Sequence, residues 1–480
     1  MSSINTTSVR EELDRLKYEF KRQPSEQNLS SETTMLMSSM LTLLELICAI
    51  FLEKSTPKTS KNSSKPSSQT DKDETSLDQP GSKGKGKTER RQSAYNSRTI
   101  ETTTVATAST CDICGEDLTD TACHKHERRT KIDIIFEKTV EHVDAEIKDC
   151  PGCSAEVKGQ FPADMPGPLQ YGNGLKAYVI NMLVCQMVAL NRVQKSVAAM
   201  IGQTIAEATM LKYVLRLHEA LATWEREAIS QLMQSPAMHV DETSLRVDQK
   251  NHWIHVYAAG DITLKRLHRK RGKEAIEAID IIPRYGGVII HDCWASYLSY
   301  AHCGHGLCGS HLLRELTFIV DANGYAWAKN MKRALQDSCR AVAKSEDKRL
   351  SEAAYRNLQK RYRAILTRGE KELPTIPERR PGQRGKIAKS DAHNLWERLK
   401  EHEKAVLLFA KDSNVAFTNN RAERDLRMAK VKQKVSGCFR NSLYADAYCR
   451  ISSYLQTMAN QGHNPLIAIQ MALAGEIGGE

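Results

Sequence analysis

Acidic residues are in short supply: 58 Asp and Glu stand against 69 Lys and Arg, a formal net charge of +11. That balance argues against an acidic extracellular or calcium-buffering role. It points to an anionic partner, such as nucleic acid or a membrane surface. An even set of cysteines is also missing. Thirteen cysteines exclude a fully paired disulfide framework, and in a 480-residue chain they are expected as reduced thiols or metal ligands. No basic-then-apolar leader opens the chain, because residues 1–19 are polar and charged. Long apolar runs are almost absent. The exception, Met35 to Leu52, is just long enough for a membrane span. It contains Ser38, Ser39, Thr42 and Glu45, and no basic residue immediately precedes it. Leu41, Leu44, Ile47 and Phe51 recur at three- and four-residue steps, the pattern of a helix that buries one face on a partner helix. An oligomerisation helix is therefore expected, in a soluble, cytoplasmic protein without a membrane partner. The length predicts about two to four domains.

Large apolar residues are nearly missing from 55–100, which is rich in Ser, Lys, Thr and Pro. Such a stretch buries too little surface to offset its ordering entropy and reads as a linker. Basic residues outnumber acidic ones there by ten to five, so the tether also offers nonspecific phosphate contact. Beyond it stand two C-x2-C knuckles, Cys111/Cys114 and Cys150/Cys153, 35 residues apart. A tight C-x2-C turn aims two sulfurs at one metal, and two such turns complete a tetrahedral structural Zn²⁺ site with no open position for chemistry. KIDIIFEKTVEHVDAEI between them has the β-branched content of a hairpin, giving knuckle, hairpin, knuckle: a zinc ribbon. Cys123 and His124 offer a further ligand between the knuckles. After Pro166 and Pro168 the pattern turns helical. A short helix to Met200, a turn at Gly202 and a second helix from about Ile205 resemble a helix-turn-helix, with Glu207, Thr209 and Lys212 on its exposed face. The same spacing also arises in ordinary helical bundles.

From His239 the pattern changes to strands. HVDETSLRV, a polar turn at 248–251 and HWIHVYAAG read as a hairpin, with LKRLHR as a third strand. A helix, KEAIEAIDII, leads to the apolar strand Val288-Ile-Ile, which ends in His291-Asp292. Three strands, a helix and a strand follow the order of a ribonuclease H-like sheet, in which the first and fourth strands are central neighbours. Asp241 lies inside the first and Asp292 ends the fourth. Two carboxylates there would repel and be desolvated unless a divalent cation joined them. Asp292 also suits a helix cap, whereas Asp241 sits in a strand interior that disfavours Asp. Glu242 points to the opposite face, which suits a structural role. A third carboxylate, Glu423, follows the capping cluster Thr418-Asn-Asn on a helix that also carries Lys430, two turns along the same face. Residues 419–450 hold eight Arg/Lys against three acids, a surface suited to DNA.

The stretches HVDETSLRVDQKNHWIHV, HDCWASY, CGSHLLREL, FTNNRAERDLRMAKVKQKVSGCFRN and SYLQTMANQGHNP together resemble transposases of the IS66 insertion-sequence family. These belong to the DDE class with a ribonuclease H-like core. The zipper-like helix at 33–53, NSSKPSS at 62–68 and the C-x2-C pair are similar to that family as well. The resemblance implies Asp241, Asp292 and Glu423 as the catalytic triad. It implies two Mg²⁺ (or Mn²⁺) ions bridged by Asp241. Water would first free a 3′-hydroxyl at the element end, and that hydroxyl would then attack target DNA. Lys430, with Arg421, Arg424 and Lys434, is expected to hold phosphates. Asp292 and Glu423 are 131 residues apart, and the extra length resembles the all-helical insertion of several such transposases. Cys308-Gly-Ser-His311 fits the C-x2-H motif that some of them carry, and with His302, Cys303 and His305 upstream a second zinc site is conceivable. Support of the active site by His311 is the favoured reading.

The expected architecture is an α/β ribonuclease H-like core with an all-helical insertion, preceded by a helical segment, a zinc ribbon and a helix-turn-helix-like bundle. The expected boundaries are an oligomerisation segment at 1–53, a linker at 54–110, the ribbon at 111–165, the DNA-binding helices at 166–236, the core at 237–322, the insertion at 323–405, the second part of the core at 406–445 and C-terminal helices at 446–480. The expected partners are DNA, as terminal inverted repeats and as target, and further copies of the chain; accessory proteins encoded by the element are additional candidates. Two alternatives remain open at this stage: a ribonuclease H-like nuclease or resolvase without strand transfer, and a zinc-ribbon regulator that binds DNA without cutting it.

Overall fold

The computed structural model describes residues 12–19, 31–59, 62, 102–132, 138–377 and 387–476. The linker expected at 54–110 falls largely outside these residues, as does most of the basic loop at 377–389. Two compact units emerge. One holds the described residues of 1–88 with 222–457, and the other those of 89–221 with 458–480. In the first unit a helical segment at 12–19 precedes α1 (Ser31–Ser55).

In the second unit each C-x2-C knuckle folds into the same turn. The Cys111 N–H donates to Glu116 O (2.9 Å) and the Gly115 N–H to Cys111 O (2.9 Å). The Cys150 N–H likewise donates to Ala155 O (2.9 Å) and the Ser154 N–H to Cys150 O (2.8 Å). Both turns close on a left-handed residue, Gly115 or Ser154. The hairpin expected between the knuckles is not formed over its described part. Residues 138–146 carry no strand, and 133–137 lie outside the described residues. Instead a short antiparallel pair, β1 (Ile147–Asp149) and β2 (Glu156–Lys158), clasps the second knuckle. Val140, Ile147 and Val157 are exposed, so a longer hairpin here would have no apolar surface to bury. The helical part comprises α2 (Asn173–Ile180), one π-helical turn, α3 (Leu190–Ile201) and α4 (Glu207–Ala220). Helix α3 ends at Gly202, whose φ of 67° a side chain would oppose. Gln194 Nε2 donates across the turn to Ile205 O (2.8 Å). The C-terminal helix Pro465–Ala474 packs on α2 and α4.

The first unit continues with α5 (Ala222–Gln234) and the strands β3 (Ala237–Val247), β4 (Lys250–Ala259) and β5 (Ile262–His268). Asp248 and Gln249, both at positive φ, make the two-residue turn between β3 and β4; positive φ at both positions matches the strand twist. Helix α6 (Lys273–Ile279) leads to β6 (Val288–His291), the short α7 (Ala295–Leu298) and β7 (Gly304–Leu307). The five strands lie in the order β5-β4-β3-β6-β7. The first three are antiparallel, β6 runs parallel to β3, and β7 runs parallel to β6. The sequence reading did not include β7. Two glycines and no β-branched residue hide it, yet a Cβ at Gly304 would sit 2.9 Å from Val288 Cγ2 and one at Gly306 would sit 2.8 Å from Val415 Cγ1.

Helices α8 (Gly309–Asn323), α9 (Ala326–Lys344), α10 (Glu352–Glu372), α11 (Asp391–Glu401) and α12 (Glu403–Lys411) separate β7 from α13 (Asn420–Val435) and α14 (Ser442–Asn460). The helices of the 323–405 stretch do not form a separate core. Trp327, Tyr362 and Leu395 share one apolar cluster with Ile290 and Leu307 of the sheet. At the opposite sheet edge, α14 satisfies backbone donors that β5 would otherwise expose. Thr263 N donates to Thr457 Oγ1 (3.1 Å) and Lys265 N to Ser453 Oγ (2.8 Å).

Helix α1 is long and apolar enough to cross a membrane. Here it lies along α8 with Leu46, Ala49 and Leu52 buried. The buried Glu53 carboxylate takes the Asp391 and Ala392 amides (2.5 and 2.9 Å) at the start of α11, and the Asn323 amide (3.0 Å) at the end of α8. Leu44, Ile47 and Phe51, three of the four residues of the expected partner face, remain exposed.

Candidate active site

One cavity of about 1170 Å³ in the first unit is lined by Asp241, Asp292 and Glu423. Asp241 stands mid-strand in β3, opposite Val256 of β4. Asp292 directly follows β6, which pairs with β3. Its turn is sharp: Cys293 takes a φ of 72°, and Trp294 N donates back to Asp292 Oδ1 (3.1 Å). A non-glycine residue held at positive φ beside a candidate site is a typical location of stored strain. Glu423 lies in the first turn of α13.

The start of α13 is stitched to the sheet by Asn419, which is fully buried. Its Nδ2 donates to Val240 O (2.8 Å), its Oδ1 lies 2.9 Å from His239 Nδ1, and its backbone N donates to Cys308 Sγ (3.1 Å). These bonds tie the Glu423 helix to His239 and Val240, the two β3 residues that precede Asp241.

The cavity is electrostatically loaded. Burial, then the charges of Glu242 and Asp292, push the Asp241 carboxyl well above its usual range, against a backbone hydrogen bond from Glu242 N to Asp241 Oδ1 (2.8 Å); Glu423 adds to the rise. The oxygens of Asp241, Asp292 and Glu423 do not all lie within 4.8 Å of one another. Glu423 Oε1 is buried and accepts no hydrogen bond. His311 Nδ1 is 3.4 Å from it, and Arg314 lies 3.8 Å from Oε2. Burial would lower the His311 pKa, but the bond and charge of Cys308, with Glu423, raise it to about 9. Burial would raise the Cys308 thiol, yet its bond to His311 and the charge there bring it below its ordinary value. Cys308, His311 and Glu423 are the one group of three His, Cys, Asp or Glu ligands within 4.8 Å among the described residues. The upstream residues do not join it: His302 bonds Ile282 O, and His305 lies against His291.

The expected phosphate-binding residues divide. Lys430 and Lys434 line the cavity. Lys430 Nζ is fixed to Ser244 Oγ (2.8 Å) and Ser244 O (3.1 Å), and burial lowers its pKa. Arg421 and Arg424 are not among the lining residues. Arg421 is spent on Ile262 O of β5 (2.9 Å), and Arg424 projects from an exposed face of α13. In their place Arg271, Arg314, Arg398 and Arg427 line the cavity. The sequence reading missed these four. A signal for Arg271 existed in the basic run 268–271 directly after the third strand. Glu242 also differs from expectation. The pleat gives it a different cross-strand partner from Asp241, but its carboxylate reaches the same cavity and binds Arg271 and Tyr297.

In the second unit, amides of Cys114 and Ile113 lower the Cys111 thiol, and amides of Gly152 and Cys153 lower Cys150. No three of Cys111, Cys114, Cys150 and Cys153 have their sulfurs within 4.8 Å of one another. Cys123 Sγ lies near His126 (3.6 Å to Nε2).

The family model described as "Transposase IS66 family" matches residues 168–447. The chain belongs to the IS66 transposase family. The match runs from just before α2 into α14 and contains Asp241, Asp292 and Glu423. No curated protein matches the chain. As an IS66-family transposase, this protein is an enzyme of transposition that acts on DNA.

Proposed function

We propose that this IS66-family chain is a DDE-type transposase with a ribonuclease H-like core, which frees a 3′-hydroxyl at each element end and joins it to target DNA. The observation that carries this reading is the meeting of Asp241, Asp292 and Glu423, from two adjacent strands and a helix, in one cavity bordered by Lys430, Lys434 and Arg427. The strand order β5-β4-β3-β6-β7 supports the core assignment. The residues fit a pair of Mg²⁺ or Mn²⁺ ions: the donors are hard oxygens, Asp241 resists ionisation without a cation, and Glu423 Oε1 has no hydrogen bond. Asp241, Asp292 and Glu423 would hold the ions, which would supply activation of the attacking oxygen and stabilisation of the leaving oxygen. Lys434 and Arg427 hold DNA phosphates, while Lys430 couples that contact to β3 through Ser244. His311, paired with Cys308, supports Glu423.

The test uses duplex DNA of the genomic segments bracketing the reading frame, with a labelled 3′-hydroxyl strand, a supercoiled plasmid and MnCl₂. Joined products covalently linked to the plasmid are expected. Nicking without any joined product favours the nuclease alternative, and neither nicking nor joining favours the non-enzymatic regulator.

The remaining assignments follow from the same reading. Residues 111–165 bind a structural Zn²⁺ through Cys111, Cys114, Cys150 and Cys153, and the α3–α4 pair contacts DNA. The exposed partner face of α1 pairs copies of the chain. Two identical knuckle turns with amide-stabilised sulfurs support the zinc assignment. Purified protein is expected to carry one zinc per chain by inductively coupled plasma mass spectrometry. Cys150→Ser should lower that to well under half. A full zinc complement in the variant would remove Cys150 from the site.

A further inference from the structure

Arg271 stands in the loop between β5 and α6 and borders the carboxylate cavity with 42% of its side chain exposed. Three groups hold it. Glu242 Oε1 takes both Nε (2.7 Å) and Nη2 (2.6 Å). The guanidinium carbon lies 4.4 Å from the Trp294 ring centre and 5.1 Å from that of Trp253. Glu242 is itself fixed by the Tyr297 hydroxyl, which donates to Oε2 (2.5 Å). None of these contacts uses Nη1. A long, entropy-rich side chain is thus ordered in advance, with donors left over, next to three carboxylates that would repel a nucleic acid backbone.

We propose that Arg271 binds a backbone phosphate of the DNA strand entering this cavity, and that Glu242 is a positioning residue that holds the guanidinium for it. The proposal rests on the transposase reading above for its ligand. It explains why a carboxylate is buried at Glu242 without joining the metal-facing set: its charge is matched by Arg271 and its second oxygen by Tyr297. An arginine offers planar, paired donors to phosphate, and one already held in place loses little freedom on binding. Trp294 connects this contact to the chemistry. It stacks on Arg271 while its N–H donates to Asp292, so the phosphate at Nη1 and the carboxylate at the end of β6 share one support.

The experiment measures binding of full-length protein to a fluorescein-labelled 30-base-pair mixed-sequence duplex in EDTA, from 50 to 300 mM NaCl. Nicking in MnCl₂ is measured separately, on duplex DNA of the genomic segments bracketing the reading frame. Arg271→Ala should weaken binding about fivefold at 100 mM NaCl and reduce the slope of log K against log [NaCl] by about 0.9, the loss of one phosphate contact. Arg271→Lys should keep the slope but lose affinity, because the charge stays and the fork goes. Glu242→Gln decides the positioning role by its sign. Removing a negative charge should tighten binding if Glu242 merely repels DNA, and should weaken it if Glu242 holds Arg271. Thermal melts of each variant exclude unfolding as the cause. An unchanged slope in Arg271→Ala, or tighter binding by Glu242→Gln, overturns the proposal. A reduced slope in Arg271→Ala together with wild-type protein that does not nick leaves the Arg271 contact standing and counts against the catalytic reading instead.

Discussion

Asp241→Asn is expected to lower metal-dependent DNA cleavage by at least about 10³-fold, or roughly 4 kcal/mol of transition-state stabilisation, while DNA binding stays intact. In the absence of divalent metal the same substitution should raise stability. Asp241 is desolvated and faces Glu242, Asp292 and Glu423, so its proton is favoured in the folded state. A folded pKa above the unfolded one means that the native state binds more protons. The metal-free protein therefore loses stability as pH rises from the unfolded carboxyl value through the folded value. Asparagine keeps the shape and can still accept the Glu242 N–H, but it carries no charge. Melting curves in EDTA at pH 5 and pH 7.5 should show a gain of a few degrees for the variant at pH 7.5 and little at pH 5. Adding MgCl₂ or MnCl₂ should reverse the order at pH 7.5, because only the wild type gains from the cation. Full cleavage by Asp241→Asn would sink the site assignment. Equal metal stabilisation of both proteins would remove Asp241 from the metal set.

Much of the core was legible because it rests on local rules. Alternation in HVDETSLRV and HWIHVYAAG, with a polar turn between them, yields a hairpin whichever protein contains it, and the turn at Asp248-Gln249 joins β3 to β4 directly. The apolar run before Asp292 reads as a buried strand and is one, next to β3. Glu423 and Lys430 share a face because seven residues make two helical turns. What stayed hidden depends on tertiary convergence. Arg271 and Arg427 reach the cavity whereas Arg421 and Arg424 do not, and nothing in RAERDLR distinguishes a side chain aimed at β5 from one aimed at the site. Strand β7 was invisible because its glycines are chosen for close approach to Val288 and Val415, not for β propensity. Over its described part, 138–146, the hairpin expected between the knuckles carries no strand, for a related reason. β-branched content marks what a segment could form, but the exposed Val140 and Ile147 have no partner layer to bury them. Glu53 shows the same limit from the other side. A lone acid ending an apolar helix reads as solvent-facing, yet it caps α11 across more than three hundred residues of sequence.

Asn419→Ala is the second large effect, and it separates position from chemistry. The Asn419 side chain contacts no proposed metal ligand; it joins α13 to His239 and Val240, the two residues that precede Asp241 in β3. Truncation leaves Val240 O without its donor inside the core and frees His239, whose pKa burial already lowers. The cost should be about 2–3 kcal/mol, the range for a buried acceptor left unpaired plus a lost hydrogen bond. Urea unfolding should show it as a lower midpoint with an unchanged slope. The loss of activity should exceed the loss of folded protein, because Glu423 sits one turn beyond Asn419 and moves with it. Asn419→Asp discriminates further. It preserves the shape and an acceptor for His239 but removes the donor to Val240 O, and it adds a fourth negative charge near Asp241. It should therefore be at least as harmful as alanine at pH 7.5 and recover towards lower pH as the added acid is protonated. If both variants cleave DNA at wild-type rates once corrected for folded fraction, α13 is positioned by the Cys308 and β5 contacts instead, and Glu423 does not depend on this staple.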